Sequence, residues 1–126
     1  MSTWDAAALE QVATNDEVRL AVDKRDGSAG TPVIMWAVDV DGEVYVRAVY
    51  GEQSPWYRRA QVTKAGELLV GSLQTRVTIE HIGNENAAAI DAAYVQKYAR
   101  YAKNIVDTTV SDVARAATLR LTPASR

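Results

Sequence analysis

The residues of this sequence that could do chemistry gather in two stretches. In the first, Arg47 is followed by Val49-Tyr50-Gly51 and then by Ser54-Pro55-Trp56-Tyr57-Arg58-Arg59. Guanidinium groups suit phosphate or carboxylate, and indole and phenol rings suit stacking on a planar ligand. A Ser-Pro pair at a helix start adds free backbone N–H groups and the positive end of the helix dipole. Arg58 and Arg59 project about 100° apart, so one of them at most aims at a given ligand. The plain alternative is that Trp56 anchors the core, Tyr57 is partly buried and both arginines are solvated. The second stretch is Tyr94, Lys97, Tyr98 and Tyr101, a stripe at helical spacing. It is either packing with hydroxyls at its rim or a pocket wall. In the latter, Lys97 pairs with an anion and a tyrosine donates a proton.

Other candidates are thinner. His81 is the single histidine and has no motif partner for a hydrolase triad. Trp36 sits mid-strand, where core packing is the plain reading. Asp39, Asp41 and Glu43 read as a solvated hairpin. The sequence holds no cysteine, which excludes disulfides, thiol catalysis, iron–sulfur clusters and Cys-based zinc sites. With one histidine, no metal site is expected. There is no GxGxxG, Walker loop, HExxH or GxSxG. A net charge of −2 argues against a nucleic-acid partner. No apolar run reaches a membrane span and no signal pattern opens the chain, so no membrane partner and a cytoplasmic location are expected.

The elements that must position these residues follow from periodicity. At 126 residues, with 48% apolar and 24% charged, the chain is expected to be one domain over 1–126. Ser2-Thr3 predicts a helix cap and a helix over Thr3 to Ala13. Alternation predicts strands over Glu17–Asp23, Thr31–Val40, Glu43–Val49, Glu67–Gly71, Gln74–Ile82 and Ala116–Leu121. Asp41-Gly42 predicts a type I′ hairpin turn. Ser54 and Pro55 predict the cap and first position of a short helix to about Val62. One long helix is predicted from Asn84 to about Ile105. The fold class is therefore α+β: a six-stranded antiparallel barrel with three helices.

Several segments together resemble a known family. DEVRLAV (16–22), TPVIMWAV (31–38), EVYVRAVYG (43–51), SPWYRRA (54–60), IDAAYVQKYARY (90–101) and ATLRL (117–121) are similar to the bacterial domain of unknown function 2255, across nearly the whole chain. That family falls in the FMN-binding split β-barrel class, with the pyridoxamine phosphate oxidases. SPWYRRA also resembles an aromatic block of the deazaflavin-dependent nitroreductases. The resemblance implies a split barrel, a homodimer with a cofactor at its seam, and FMN or a deazaflavin as that cofactor. By position it implies that Arg47, Val49, Tyr50, Gly51, Ser54, Pro55, Trp56, Tyr57 and Arg58 contact the cofactor, with Arg47 or Arg58 at the phosphate. Tyr98 is then the candidate catalytic group over the ring, and Trp36, Tyr94, Lys97 and Tyr101 are the candidate contacts to a small-molecule substrate. The nitroreductases' Lys-Ser-Gly phosphate loop should precede Thr31, where this chain has Asp26-Gly27-Ser28-Ala29-Gly30. Flavin- or deazaflavin-dependent oxidoreductase chemistry is the leading expectation. A cofactor-free small-molecule binder on the same barrel and a structural dimeric partner protein are the alternatives.

Overall fold

The computed structural model describes residues 4–124. In chain order it runs α1 (Ala6–Thr14), β1 (Val18–Val22), β2 (Val33–Met35), β3 (Ala37–Val40) and β4 (Glu43–Arg47). A 3-10 turn (Gly51–Gln53) leads into α2 (Pro55–Thr63), β5 (Ala65–Val70) and β6 (Leu73–His81). Then come α3 (Ala87–Lys97), α4 (Lys103–Thr109), α5 (Asp112–Ala116) and β7 (Thr118–Pro123). The strands form one antiparallel sheet in the order β2-β1-β5-β6-β7-β4-β3.

The seven strands correct the expected six, and the reason is local. The predicted strand Thr31–Val40 is broken at Trp36, with β2 paired to β1 and β3 paired to β4. One residue therefore joins the two edge strands of the sheet, which makes the sheet a nearly closed barrel. The expected long helix is likewise two helices, α3 and α4, separated by Tyr98–Ala102. The stretch from Thr109 to Arg115, which reads in sequence as irregular or a short helical turn, contains most of α5, and the described chain holds five α-helices where three were predicted.

Side-chain alternation sets two cores. Val18, Leu20 and Val22 of β1, Val44 and Val46 of β4, Leu68 and Val70 of β5, and Leu119 and Leu121 of β7 fill the first. Ala8 and Val12 of α1, with Tyr57 and Ala60 of α2, pack against them. The second core lies between the sheet's other face and the C-terminal helices, where Val38 and Tyr45 meet Ile90, Tyr94, Tyr98 and Val106. Arg47 follows Tyr45 on that face by the period of two.

The hairpin expectation at Asp41-Gly42 holds, with both residues at positive φ, +51° and +81°. Pro55 is the first residue of α2, and Ser54 occupies the cap position without a side-chain cap bond. The cap of α1 is Asp5, whose carboxylate accepts from the Ala8 N–H at 2.8 Å. The capping role expected of Ser2-Thr3 falls on residues outside those described. No helix among the described residues is long and apolar enough to cross a membrane.

Candidate functional site

A cavity of about 540 Å³ opens beside the strand break. Its walls come from three places: β2 and Trp36, the end of β4 running into the loop before α2, and the inner faces of α3 and α4. Trp36, Tyr50, Trp56 and Tyr94 give it aromatic surface, and Arg47 is the one charged side chain among the lining residues. The volume and the mostly apolar wall with few polar groups suit a small organic ligand.

Arg47 is buried to 4% exposure and held on three sides. Its Nε donates to Thr118 Oγ1 at 2.9 Å. Its Nη1 donates to Asp91 Oδ1 at 2.6 Å and to the Thr109 carbonyl at 2.7 Å. The guanidinium lies 5.4 Å from the centre of the Tyr94 ring, a cation–π distance. Its Nη2 is buried and has no partner among the described residues. An unpaired buried donor costs about 1–3 kcal/mol, and a charged one costs more. Asp91 also accepts from Arg115 Nε at 2.7 Å, and Arg115 Nη1 reaches Asp112 at 3.0 Å. The two arginines and two aspartates form a chain with no net charge.

The sequence candidates divide on position. Arg47, Val49, Tyr50, Ser54, Pro55 and Trp56 line the cavity, as do Trp36 and Tyr94. Gly51, Tyr57 and Arg58 do not. Gly51 sits at φ +58°, and a Cβ there would come within 2.9 Å of Val113 Cγ1, so its role is turn geometry and close packing. Tyr57 is in the barrel core, where its hydroxyl accepts from Gln61 Nε2 at 3.0 Å. Burial raises its pKa. Arg58 is exposed and donates from Nη1 to the Glu52 carbonyl at 3.0 Å, and Arg59 Nη1 lies beside Gly30.

The tyrosine stripe of α3 serves the broken strand. Tyr94 Oη donates to the Trp36 carbonyl at 3.3 Å. Lys97 Nζ donates to the Ala37 carbonyl at 2.7 Å and to the Val12 carbonyl at 2.6 Å. The Tyr98 hydroxyl accepts from the Ala37 N–H at 3.1 Å, and the carbonyls of Asp16 (2.7 Å) and Ala37 (3.0 Å) compete for its proton. The Tyr98 ring stacks on Trp36 at 3.9 Å with 2° between planes, and Tyr101 packs tilted against the same indole at 4.9 Å. Tyr101 Oη donates to Asp16 Oδ2 at 2.7 Å, and Arg100 pairs with the same carboxylate. Burial raises the phenols of Tyr94 and Tyr98 well above the ordinary tyrosine value. Burial also lowers Lys97, to about 8. Tyr98, Lys97 and Tyr101 lie outside the cavity lining, and their polar groups are satisfied at the break.

Sequence reasoning missed Val33, Met35, Ile105 and Thr108, which line the cavity, and Asp91 and Thr118, which hold Arg47. Asp91 lies one turn before Tyr94 on α3, a spacing that placed it on the same helix face. Nothing local in the sequence tied Thr118 to Arg47, 71 positions away. His81 stands apart, its Nε2 2.8 Å from the Ala116 carbonyl. Among the described residues no cluster of three or more His, Cys, Asp or Glu could hold a metal ion.

The class the fold defines is a nearly closed antiparallel barrel whose two edge strands are joined through one broken strand, with a cavity at the break. Within it the chain belongs to the family described as "Uncharacterized protein conserved in bacteria (DUF2255)", whose profile matches residues 8–121. Three solved structures show the likeness of fold. A conserved hypothetical protein, Rv2991, from Mycobacterium tuberculosis superposes with a TM-score of 0.65 at 15% identity, over 99% of this chain and 82% of its own. HutZ, a heme storage protein from Vibrio cholerae, does so at 0.64 and 12%, over 93% and 87%. An F420 reductase gives 0.58 and 16%, over 92% of each chain. No curated protein matches the sequence.

Proposed function

We propose that this protein binds a flavin or deazaflavin in the cavity at the strand break and acts as an oxidoreductase on a small molecule. The observation that carries the reading is the cavity itself: about 540 Å³, with Trp36, Trp56 and Tyr94 in its wall and an unpartnered buried guanidinium nitrogen on one lining residue. A planar ring system with an acceptor oxygen meets both features. Trp36, Trp56 and Tyr94 would flank the ring, and Arg47, whose side chain is sealed from the cavity, would have to turn toward it to donate to the ring's oxygen. Bound there, the cofactor would supply hydride transfer. The chain's role is to orient the ring and keep water from its buried edge. The likeness of fold to an F420 reductase supports the choice of cofactor class. A cytoplasmic homodimer belongs to the same reading. Ile34 (61% exposed), Tyr50 (73%) and Ile105 (47%) stand at the cavity and would be covered by a second copy.

One observation favours a second reading, a cofactor-free binder of small molecules. The cavity lining offers a phosphate tail no cation besides Arg47, whose charge Asp91 already offsets. The visible spectrum of the purified protein, followed by titration with FMN and with a deazaflavin, separates the two. Quenching of tryptophan fluorescence at micromolar cofactor is expected under the first reading. A colourless protein whose fluorescence answers to neither cofactor would overturn it.

A further inference from the structure

One stretch of barrel strand has lost its neighbour on one side. β6 runs on to His81, but its pairing with β5 stops at Ala65 and Thr78, where the chain turns straight out of α2 into β5. Lys64 makes that turn in the left-handed conformation, at φ +58°. Its carbonyl accepts from the Ile79 N–H at 2.9 Å, and its own N–H closes α2 on the Ala60 carbonyl at 2.9 Å. In an antiparallel strand the N–H and C=O of one residue point to the same side, and successive residues alternate. The Ile82 N–H bonds to the Thr118 carbonyl and the Ile79 N–H to Lys64, so even-numbered residues here face β7 and odd-numbered ones face β5. His81 would next pair with Val62, which is helical. The N–H and C=O of His81 are therefore left without a ladder partner.

A cleft of about 510 Å³ lies against that edge, at the opposite end of α2 from the cavity at the strand break. Thr78, Ile79, Glu80 and His81 all line it. Their side chains alternate between the two faces of the sheet, so a space that touches all four runs along the strand's edge. β7 occupies the other edge, which puts the cleft on the side of the unpaired His81 backbone. The imidazole is already engaged: its Nε2 lies 2.8 Å from the Ala116 carbonyl, an acceptor, and so carries the proton of that bond. Lys64 is exposed at the rim, and its ammonium has no carboxylate partner among the described residues. Glu80 is already paired with Arg120, at 2.7 Å. The group that answers the His81 backbone is one extended amino-acid residue, with a C=O for the N–H and an N–H for the C=O. Such a residue, antiparallel to β6 in the place Val62 would take, has its carboxyl end toward Lys64, two positions on. We infer that this cleft binds an N-acylated amino acid, whose amide N–H donates to the His81 carbonyl and whose carboxylate accepts from the His81 N–H and from Lys64. The site is separate from the cavity at the strand break and does not rest on the cofactor reading.

A matched series tests the inference on the intact protein, labelled with 15N and followed by backbone NMR. The probes are N-acetyl-leucine, N-acetyl-leucinamide and N-acetyl-N-methyl-leucine. N-acetyl-leucine is expected to bind in the millimolar range, as suits so small a ligand. It should shift the backbone amides of Lys64, Ile79 and His81 and leave that of Trp36 in place. The leucinamide, which lacks the charge, should bind about threefold or more weaker. The N-methyl form, which lacks the donor, should also bind about threefold or more weaker. Lys64→Asn, a residue that accepts the left-handed conformation, should bring N-acetyl-leucine to the level of its amide. Equal affinity for the acid and either analogue, shifts confined to the Trp36 cavity, or no binding overturns the inference. If Lys64→Asn does not fold, the order of the three probes on the wild-type protein decides alone. Acetyl-Ala-Ala-Leu then tells the source of the residue. Tighter binding than N-acetyl-leucine assigns the cleft to the C-terminus of a peptide, and equal or weaker binding assigns it to the free N-acyl amino acid; both bear the shared chemistry out.

Discussion

Two polar clusters flank the strand break, and they differ in one respect. On the α3 side, Tyr94, Lys97 and Tyr98 meet the carbonyls of Trp36 and Ala37 and the N–H of Ala37, and every one of these side-chain polar atoms has a partner. On the β4 side, Arg47 makes three bonds and leaves Nη2 with none. Breaking a barrel strand frees backbone groups that no neighbouring strand can take up. The α3 cluster answers that need completely, so nothing in it is left over for a ligand. A leftover donor beside a cavity is the mark of binding, and a closed network is the mark of architecture.

The largest effect should come from cutting the closed network. Tyr98 is fully buried and stacked on Trp36. Tyr98→Ala should cost about 3–5 kcal/mol of stability, and Tyr98→Phe about 1–3 kcal/mol through the Ala37 N–H it leaves unpaired. Urea unfolding measures both. Ligand affinity of the folded protein should stay within about twofold for Tyr98→Phe, given that its hydroxyl lies away from the cavity. If Tyr98→Phe keeps its stability and loses ligand binding, the division between the two clusters collapses.

The open cluster should show the opposite pattern. In Arg47→Met, Asp91 keeps Arg115 as a partner, so the aspartate is not left alone. Ligand affinity should fall by about 1.5–3 kcal/mol, roughly 10- to 100-fold. Calorimetric titration with whichever ligand the wild type binds is the measurement. A stability loss larger than that of Tyr98→Ala, with affinity intact, would make Arg47 the architectural group of the pair.

A smaller effect sharpens the account of the closed cluster. Burial lowers Lys97 to about 8 in the folded protein, below the 10.5 of an unhindered lysine. Between these values the unfolded chain holds the proton and the folded chain has released it. The unfolded state then binds more protons, so stability rises with pH across that window. Below about pH 8 both states carry the proton and the full cost of burying the charge remains. Tyrosines of the unfolded chain begin to ionise near pH 10 and pull the other way. A gain in the urea midpoint is therefore expected from pH 7.5 to about 9.5 in the wild type, absent in Lys97→Met. A flat wild-type profile would show Lys97 to be better solvated than its two carbonyl contacts indicate.

How much of this the sequence disclosed follows from the range of each signal. Local signals were sound: the Asp41-Gly42 turn, Pro55 at the first position of α2, and strands in the stretches Glu17–Asp23 and Ala116–Leu121 all stand in the structure. The loop from Val49 to Trp56 is legible in sequence as a place where aromatic and polar groups meet, and most of it lines the cavity. What failed was long-range. Continuous apolar alternation through Thr31–Val40 carries no sign that the chain will change sheet partners at Trp36, since that break is set by closure of the barrel around it. Tyr94, Tyr98 and Tyr101 shared a stripe, but their division of labour depends on which backbone groups the break leaves free. Arg47 and Arg58 were indistinguishable as cations in sequence. Burial under α3 and bonds to Asp91, Thr109 and Thr118 separate them, and none of these is near in sequence.

The contrast between those two arginines gives the smallest expected effect. Arg58 is exposed on α2, and among the described residues the one bond its guanidinium makes is to the Glu52 carbonyl at the surface. A phosphate-bearing ligand seated on Arg58 would have to reach out of the cavity past Ser54 and Pro55, both of which line it. In open solvent such a pair is worth about 0–1 kcal/mol. Arg58→Ala should therefore change affinity for FMN, or for any ligand that occupies the cavity, by less than about fivefold, and raising salt should not widen the difference. A loss of about 1–3 kcal/mol, as large as a charge-assisted contact, would mean that α2 turns Arg58 inward when ligand binds. The contrast would then give way to two arginines on one ligand: Arg47 at the ring and Arg58 at the tail.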